Sequence, residues 1–179
     1  MTNFLETNDG VDFLPYIQWG SDAVQWSKKG DDGKETFKFT SAVMDLDNLR
    51  WGWIAIQVGS VDKVLVHHTQ TPPARPEGTK LQGTREVPLY DKGFAVDVLF
   101  GKDFGTERLF EFSTSQKGSL TAVSELFAAY NAAKDANKGK LPVVEFTGHR
   151  NEKRGKGSTN IPELKITSWV DRPSDFDDG

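Results

Sequence analysis

The segment from Leu141 to Pro173 constrains the fold more than any other part of the chain. It contains two runs rich in β-branched and aromatic residues, PVVEFTG and ELKITSWV, each bounded by turn-forming residues. Such runs predict two adjacent strands that form a hairpin. The loop between them, His149–Ile161, contains a single acid, Glu152, and is predicted to be open because it is rich in Gly, Ser, Thr and Asn. The hairpin therefore has a long basic tip, whose cations are Arg150, Lys153, Arg154 and Lys156.

Most of the remaining chain also predicts strands, together with one helix. The helix is predicted over Ser119–Asn137, because apolar residues recur there at helical spacing and alanine is abundant. Three prolines and two glycines between Thr69 and Val87 predict an irregular surface excursion, to which Arg75, Lys80 and Arg85 add positive charge. Alternating apolar residues predict the strands Thr36–Thr40, Arg50–Val58, Lys63–His67, Phe94–Phe100 and Arg108–Thr114.

This order of elements predicts a mainly β fold with one α-helix. A helix placed before the last two strands is typical of the OB-fold, a small five-stranded Greek-key barrel, and the surplus strands are then extra hairpins. The basic loop becomes the connection between the fourth and fifth strands of that barrel. We assign residues 13–172 to this OB-fold-like domain. A β-sandwich is the alternative architecture.

The charge of the chain is unevenly distributed. The net charge is −4, but residues 1–12 form an acidic N-terminal arm and residues 173–179 an acidic C-terminal tail, each with three acids and no base. The body from Phe13 to Arg172 contains 20 acids and 22 bases, and is therefore mildly basic. The net charge of the whole chain conceals this basic body.

Several classes of protein are disfavoured by what the sequence lacks. It contains no cysteine, no secretory signal at its start and no apolar run of about 20 residues, which indicates a cytoplasmic protein that does not cross a membrane. His67 and His68 are adjacent and far from His149, and Asp45 with Asp47 is a weak candidate for Mg²⁺. No nucleophile, phosphate-binding or dinucleotide motif is present, so we expect neither enzymatic activity nor a cofactor or metal.

The residue types that remain favour binding of single-stranded nucleic acid. Such binding combines cations along the phosphate backbone with aromatic rings on which bases stack. The sequence places both together on strands and turns, and the candidates beyond the basic loop are Lys38, Phe39, Arg50, Trp51, Trp53 and Lys102. Of the rings, Phe39, Trp51 and Trp53 are expected to be partly exposed, while Trp19, Trp26 and Trp169 are expected to be structural. A solvated loop and aromatic residues packed in the core are the competing interpretation.

The end of the chain resembles a known family. The stretch LPVVEFTG…IPELKITSWVDRP, followed by DFDDG, is similar to OB-fold single-stranded DNA-binding proteins of the bacteriophage or prophage type, which carry an acidic C-terminal tail. The resemblance covers roughly the last 85 residues, from Phe94 onward. It implies a protein that coats single-stranded DNA during replication or recombination without catalysis, and it leaves a homo-oligomer open.

The resemblance also implies a role for the tail. Asp175, Phe176, Asp177 and Asp178 would dock replication or recombination proteins, or would occupy the basic groove when DNA is absent. The chain departs from the bacterial pattern because it ends in Gly179 rather than an apolar Pro-Phe tip. The competing functional interpretation is a β-rich structural or carbohydrate-binding module without affinity for nucleic acid.

Overall fold

The computed structural model describes residues 14–177, in which strands dominate and one α-helix is present. Strands account for 55% of the structure, which confirms the predicted mainly β class with a single helix. The acidic arm, residues 1–12, and Asp178 of the tail lie outside the described residues. The strands are β1 Tyr16–Gly20, β2 Gln25–Gly30, β3 Gly33–Phe37, β4 Ser41–Met44, β5 Arg50–Gln57, β6 Ser60–His67, β7 Thr79–Gln82, β8 Arg85–Pro88, β9 Asp91–Phe100, β10 Leu109–Thr114, β11 Lys140–Arg154 and β12 Gly157–Asp171.

The helix, α1, runs from Lys117 to Ala133 and continues as a 3₁₀ turn over Lys134–Asn137. It begins two residues before the predicted start at Ser119. Its N-cap is Gln116, whose side-chain oxygen accepts a hydrogen bond from Ser119 Oγ at 2.9 Å. Ser119 therefore stabilises the first turn from within the helix rather than from its cap.

Ten strands form one sheet in the order β12-β11-β4-β9-β10-β1-β2-β3, with β5 and β6 attached to it through β9. Strand β9 pairs with β10 along one edge, and its other edge is divided between β5 and β4. The remaining two strands, β7 and β8, form a separate hairpin.

The connectivity of the sheet has most of the pairings of a five-stranded Greek-key barrel. If β4 and β5 count as its first strand, then β9, β10, β11 and β12 follow as the second to fifth, with α1 between the third and fourth. The first strand pairs with the second and the fourth, and the fourth pairs with the fifth.

The sheet is nevertheless open, so the predicted closed barrel is not formed. Strand β10 does not pair with β12 within the described residues; its free edge instead pairs in parallel with β1. The physical reason is the N-terminal hairpin, formed by β1 and β2. Its strand β1 occupies the edge of β10 at which β12 would pair in a closed barrel.

Side chains bridge this gap in the sheet. The indole Nε1 of Trp19 donates to the carbonyl oxygen of Asn160 at 2.9 Å. The backbone N–H of Asn160 donates to Ser21 Oγ at 3.0 Å, and its side-chain amide donates to the Ser21 carbonyl at 2.8 Å. The N-terminal hairpin is thus held to β12 by hydrogen bonds that involve side chains rather than by a strand ladder.

Two predicted loops are ordered hairpins. The prediction of a loop at His149–Ile161 is wrong. Strand β11 continues to Arg154, and β12 begins at Gly157 after a two-residue turn in which Gly155 has a φ of 60°. Between residues 14 and 177 this end of the ribbon pairs with no third strand, and its two strands satisfy each other's backbone groups. We name the ribbon from His149 to Ile161 the basic finger. The excursion Thr69–Val87 likewise contains β7 and most of β8, joined by a turn at Gly83 with a φ of 65°.

The core lies between the sheet and α1 and is rich in aromatic rings. Trp26, Phe110 and Phe112 are almost fully buried, and α1 contributes Leu126 and Tyr130. Trp19 and Trp26 pack with ring centroids 5.4 Å apart, as predicted for structural tryptophans. Burial of this kind supplies most of the favourable free energy of folding.

Two paired glycines allow β5 to approach its neighbours closely, Gly52 on the side of β6 and Gly93 on the side of β9. Gly52 pairs with Gly93 in register, and a Cβ added at Gly52 would lie 2.1 Å from the carbonyl oxygen of Val64. Gly52 also has a φ of 155°, near the edge of the region in which side chains are disfavoured.

We expect Gly52→Ala to lower the free energy of unfolding by more than about 1 kcal/mol, because the new methyl group meets backbone that cannot move freely. Gly157→Ala is the matched control, since its Cβ would have its nearest neighbour at 3.9 Å, and it should change stability by less than about 0.5 kcal/mol. Urea denaturation of both variants measures the difference. Equal stability of the two variants would contradict the close approach of β5 and β6 at Gly52.

Candidate nucleic-acid interface

A groove between β5 and α1 contains two of the predicted aromatic platforms. It has a volume of about 390 Å³, and its walls include Trp51, Trp53 and Phe94 from the sheet and Leu120 and Phe127 from the helix. Among residues 14–177, the only charged residue in its lining is Lys92. We name this site the tryptophan groove.

The two tryptophans share one face of the sheet because side chains two residues apart on a strand point the same way. Trp51 lies opposite Phe94 and Trp53 opposite Lys92 in the pairing of β5 with β9. Both indoles are half-buried, and Trp51 packs edge-on against Phe127 at 6.0 Å. The prediction that these two rings are partly exposed is therefore consistent with their positions.

Trp53 is oriented by two contacts from the proline-rich segment. Its Nε1 donates a hydrogen bond to the carbonyl oxygen of Pro73 at 2.8 Å. The guanidinium carbon of Arg75 lies 4.7 Å from the centroid of the indole, a cation–π geometry. A flat ring and an exposed cation are thereby held next to each other at the edge of the groove.

A second cavity, of about 610 Å³, adjoins the tryptophan groove and shares Lys92 and Leu120 with it. The β7–β8 hairpin and the start of α1 both contribute to its lining. Its lining contains one acid, Asp91, which lies 3.6 Å from the ammonium group of Lys80. We name this cavity the basic cleft, after its five cations, Arg75, Lys80, Arg85, Lys92 and Lys117.

The sequence did not identify the basic cleft as a site. The sequence showed positive charge on the excursion at Arg75, Lys80 and Arg85. It did not show that Lys92 of β9 and Lys117 of α1, which are 25 positions apart, lie near these residues. Lys92 and Lys117 meet the excursion only where the starts of β9 and α1 and the β7–β8 hairpin line the same cavity.

The basic finger is partly neutralised by acids. Arg150 donates to Glu125 on α1 at 2.5 and 3.2 Å, and this hydrogen bonding raises the pKa of the arginine. Arg154 donates to Thr121 Oγ1 at 2.9 Å and lies 3.3 Å from Glu152. Lys153 and Lys156 are exposed, and within residues 14–177 they form no ion pair.

The finger and the tryptophan groove meet neighbouring sides of α1. The finger contacts Thr121 and Glu125, whereas the groove is lined by Leu120, Ser124 and Phe127. Consecutive helical residues are rotated by about 100°, so these two sets occupy adjacent faces. The helix therefore separates the two predicted parts of the site.

The structure places the other predicted residues apart from the groove. Phe39 is only 3% exposed and packs against Trp26 at 4.9 Å, so the expectation that its ring is accessible is wrong. Phe39 lies between β3 and β4, and a Phe next to a Lys in the sequence does not reveal which of the two faces inward. Lys38 is exposed beside an aromatic cavity near the N-terminal hairpin. Lys102 is exposed in the 3₁₀ turn after β9, and the length of that strand puts it roughly 30 Å from Lys92.

Arg50 lies on the opposite face of β5 from the tryptophans. Its guanidinium is 3.0 Å from Asp97 and 3.7 Å from Glu111, so two carboxylates already share its charge. Burial raises the pKa of Asp97, and the neighbouring Arg50 lowers it in part. Arg50 is thus bound to acids of the sheet rather than directed toward the groove.

The described part of the acidic tail folds back on Arg172. Its guanidinium donates to Asp45 at 2.8 and 3.0 Å and to Asp177 at 2.9 Å. The ring of Phe176 lies 5.6 Å from the same guanidinium. Residues 174–176 form a 3₁₀ turn, and Asp175 is exposed there. These contacts place Asp177 at Arg172, not in the basic cleft.

Neither a metal cluster nor a spanning helix is found between residues 14 and 177. No group of three His, Asp or Glu side chains in this range is placed to hold a metal ion, and Asp45 is engaged by Arg172. The same range contains no helix that is both long and apolar enough to cross a membrane.

Comparisons of the chain with protein-family models, with curated proteins and with solved structures found no match. The function is therefore inferred from the site itself.

We expect Arg172→Ala to lower the free energy of unfolding by about 3 kcal/mol, because it leaves the buried carboxylate of Asp45 without its cation. Asp177→Ala should cost less than about 1 kcal/mol, since that carboxylate is largely exposed. Chemical denaturation of both variants tests this order. A larger loss for Asp177→Ala would show that the tail, and not Asp45, is the main partner of Arg172.

Proposed function

We propose that this chain is a sequence-tolerant single-stranded DNA-binding protein. The observation that carries the proposal is the position of Trp53, a half-buried ring beside the Arg75 guanidinium at the edge of an otherwise apolar groove. A base can stack on such a ring whatever its sequence, because every base has a π face. Arg75 and Lys92 would then bind the adjoining phosphates, with Lys153 and Lys156 of the basic finger adding attraction.

The energies of these two interactions are suited to binding without sequence preference. Stacking on an aromatic side chain contributes about 1–3 kcal/mol per base. Cations that neutralise phosphates release condensed counterions, and they make the affinity fall steeply with salt. Acids already offset the charges of Arg50 and Arg150, whereas the lining of the cleft keeps a surplus of cations that attracts a strand.

The proposed role is to coat single strands during DNA replication or recombination, in the manner of bacteriophage proteins of this kind. The protein would act in the cytoplasm of a bacterial host and would have no catalytic step. Proteins of replication or recombination would bind the acidic tail.

We expect Trp53→Ala to weaken binding of oligo-dT by about 5- to 150-fold, which is the loss of one stacked base. In the unchanged protein, oligo-dT should quench tryptophan fluorescence, and its affinity should fall sharply between low and moderate salt. Fluorescence anisotropy with a labelled oligonucleotide measures the affinity, and duplex DNA provides the comparison.

Trp169→Phe is the matched control for the tryptophan. That ring packs against Tyr130 at 5.8 Å, away from the groove, so the affinity should not change. Equal affinities for Trp53→Ala and the unchanged protein would rule out the groove as the stacking site. No binding of oligo-dT at low salt would reject the function and favour a structural or carbohydrate-binding module.

Deletion of residues 173–179 should leave the affinity for oligo-dT unchanged or raise it, because it removes three acids from a protein that binds a polyanion. A variant with Asp175, Asp177 and Asp178 changed to Asn tests the charge without shortening the chain. If both variants fold normally and both bind more weakly, the tail contributes to binding, and its role as a competitor of DNA is wrong.

A further inference from the structure

Aromatic rings and cations line different cavities, the rings mainly the tryptophan groove and the cations mainly the basic cleft. The tryptophan groove contains four aromatic residues and one cation in its lining. The described residues that line the basic cleft include five cations and no aromatic ring. A polynucleotide has the same two parts, flat bases and charged phosphates.

We propose that the basic cleft is a phosphodiester-binding subsite, which holds the backbone of a single strand while bases occupy the adjoining tryptophan groove. The inference rests on the proposed function and assigns its backbone site to the cleft rather than to the basic finger. The ligand chemistry is a chain of phosphates, recognised by charge and independent of base.

The distribution of charge around the cleft supports this assignment. Its lining has five cations against one acid, although the whole chain has a net charge of −4. Arg85, Lys92 and Lys117 form no ion pair with any residue between 14 and 177, and all three are exposed. Like charges gathered in one concavity repel each other, so a bound anion stabilises them.

The arginines of the basic finger, unlike most cations of the cleft, are engaged by other side chains. The arginines of the finger are each bound to an acid or a hydroxyl, and Glu125 and Glu152 offset their charge. A phosphate at the finger must compete with these carboxylates. At the cleft, only Lys80 is already paired, with Asp91.

The cleft is also placed so that one strand can reach both cavities. Lys92 lines both cavities, and in the pairing of β5 with β9 it lies opposite Trp53. Arg75 lines the cleft while its guanidinium packs against the Trp53 ring. A base stacked at Trp53 therefore has its own phosphate at the entrance of the cleft.

The test compares two double variants that remove the same charge. Arg85→Ala/Lys117→Ala removes two cleft cations, and Lys138→Ala/Lys165→Ala removes two exposed lysines outside both cavities. Affinity for oligo-dT is measured by anisotropy over a series of salt concentrations. The cleft variant should reduce the slope of log K against log salt by about 1.4 and weaken binding about 25-fold at 0.1 M salt. The control variant should retain the slope of the unchanged protein.

Two probes separate the backbone from other sources of phosphate. An abasic oligodeoxynucleotide of the same length should bind in a manner that depends on Arg85 and Lys117 but not on Trp53. Inorganic tripolyphosphate should compete only weakly with the abasic oligodeoxynucleotide, because the cleft is proposed to hold an extended phosphodiester backbone. Tripolyphosphate that binds as tightly as the abasic strand would overturn the assignment to a polynucleotide backbone.

The failures of the two proposals are distinguishable. If the unchanged protein binds oligo-dT and the cleft variant keeps its slope, the cleft assignment is wrong and the function stands. If Lys153→Ala/Lys156→Ala reduces the slope of log K against log salt and the cleft variant does not, the DNA backbone binds at the finger. If the unchanged protein binds neither oligo-dT nor the abasic strand, both proposals fail.

Discussion

The hydrogen-bonding capacity of strand β9 is the constraint on which the rest of the structure depends. One of its edges is satisfied by β10, and the other is divided between β4 and β5. Because β5 leaves the line of β4, its tryptophans extend past the core toward α1. The groove, the position of Lys92 and the approach of the proline-rich segment all follow from this division of one strand edge.

Much of the fold could be predicted from the sequence, because it is encoded locally. Alternating apolar residues identified β5, β9 and β10 within a few residues, and helical spacing identified α1 with similar accuracy. The open sheet could not be predicted in this way. It depends on the N-terminal hairpin, whose link to β12 joins residues that are about 140 positions apart, such as Trp19 and Asn160. Local patterns contain no information about such pairs.

The candidate site was predictable only in part, for a similar reason. Residue type identified Trp51 and Trp53, but alternation along a strand does not say which face is buried, and Phe39 proved to be in the core. Local charge identified the finger, but not the acid Glu125 that meets it from α1. The cleft was missed because its cations come from three separate segments, the excursion, β9 and α1. A positively charged surface can be recognised only when it is known which acids pair with which cations in the fold.

The arginines of the finger have a mechanical consequence. Arg150, Glu152 and Arg154 alternate along β11 and so share one side of the ribbon, from which both arginines reach α1. A ribbon of two strands twists strongly when nothing supports it. Here ionic and polar contacts brace it against a helix. Ions that screen the pair of Arg150 with Glu125 weaken this brace, so the projecting arm becomes more compliant as the electrolyte concentration rises.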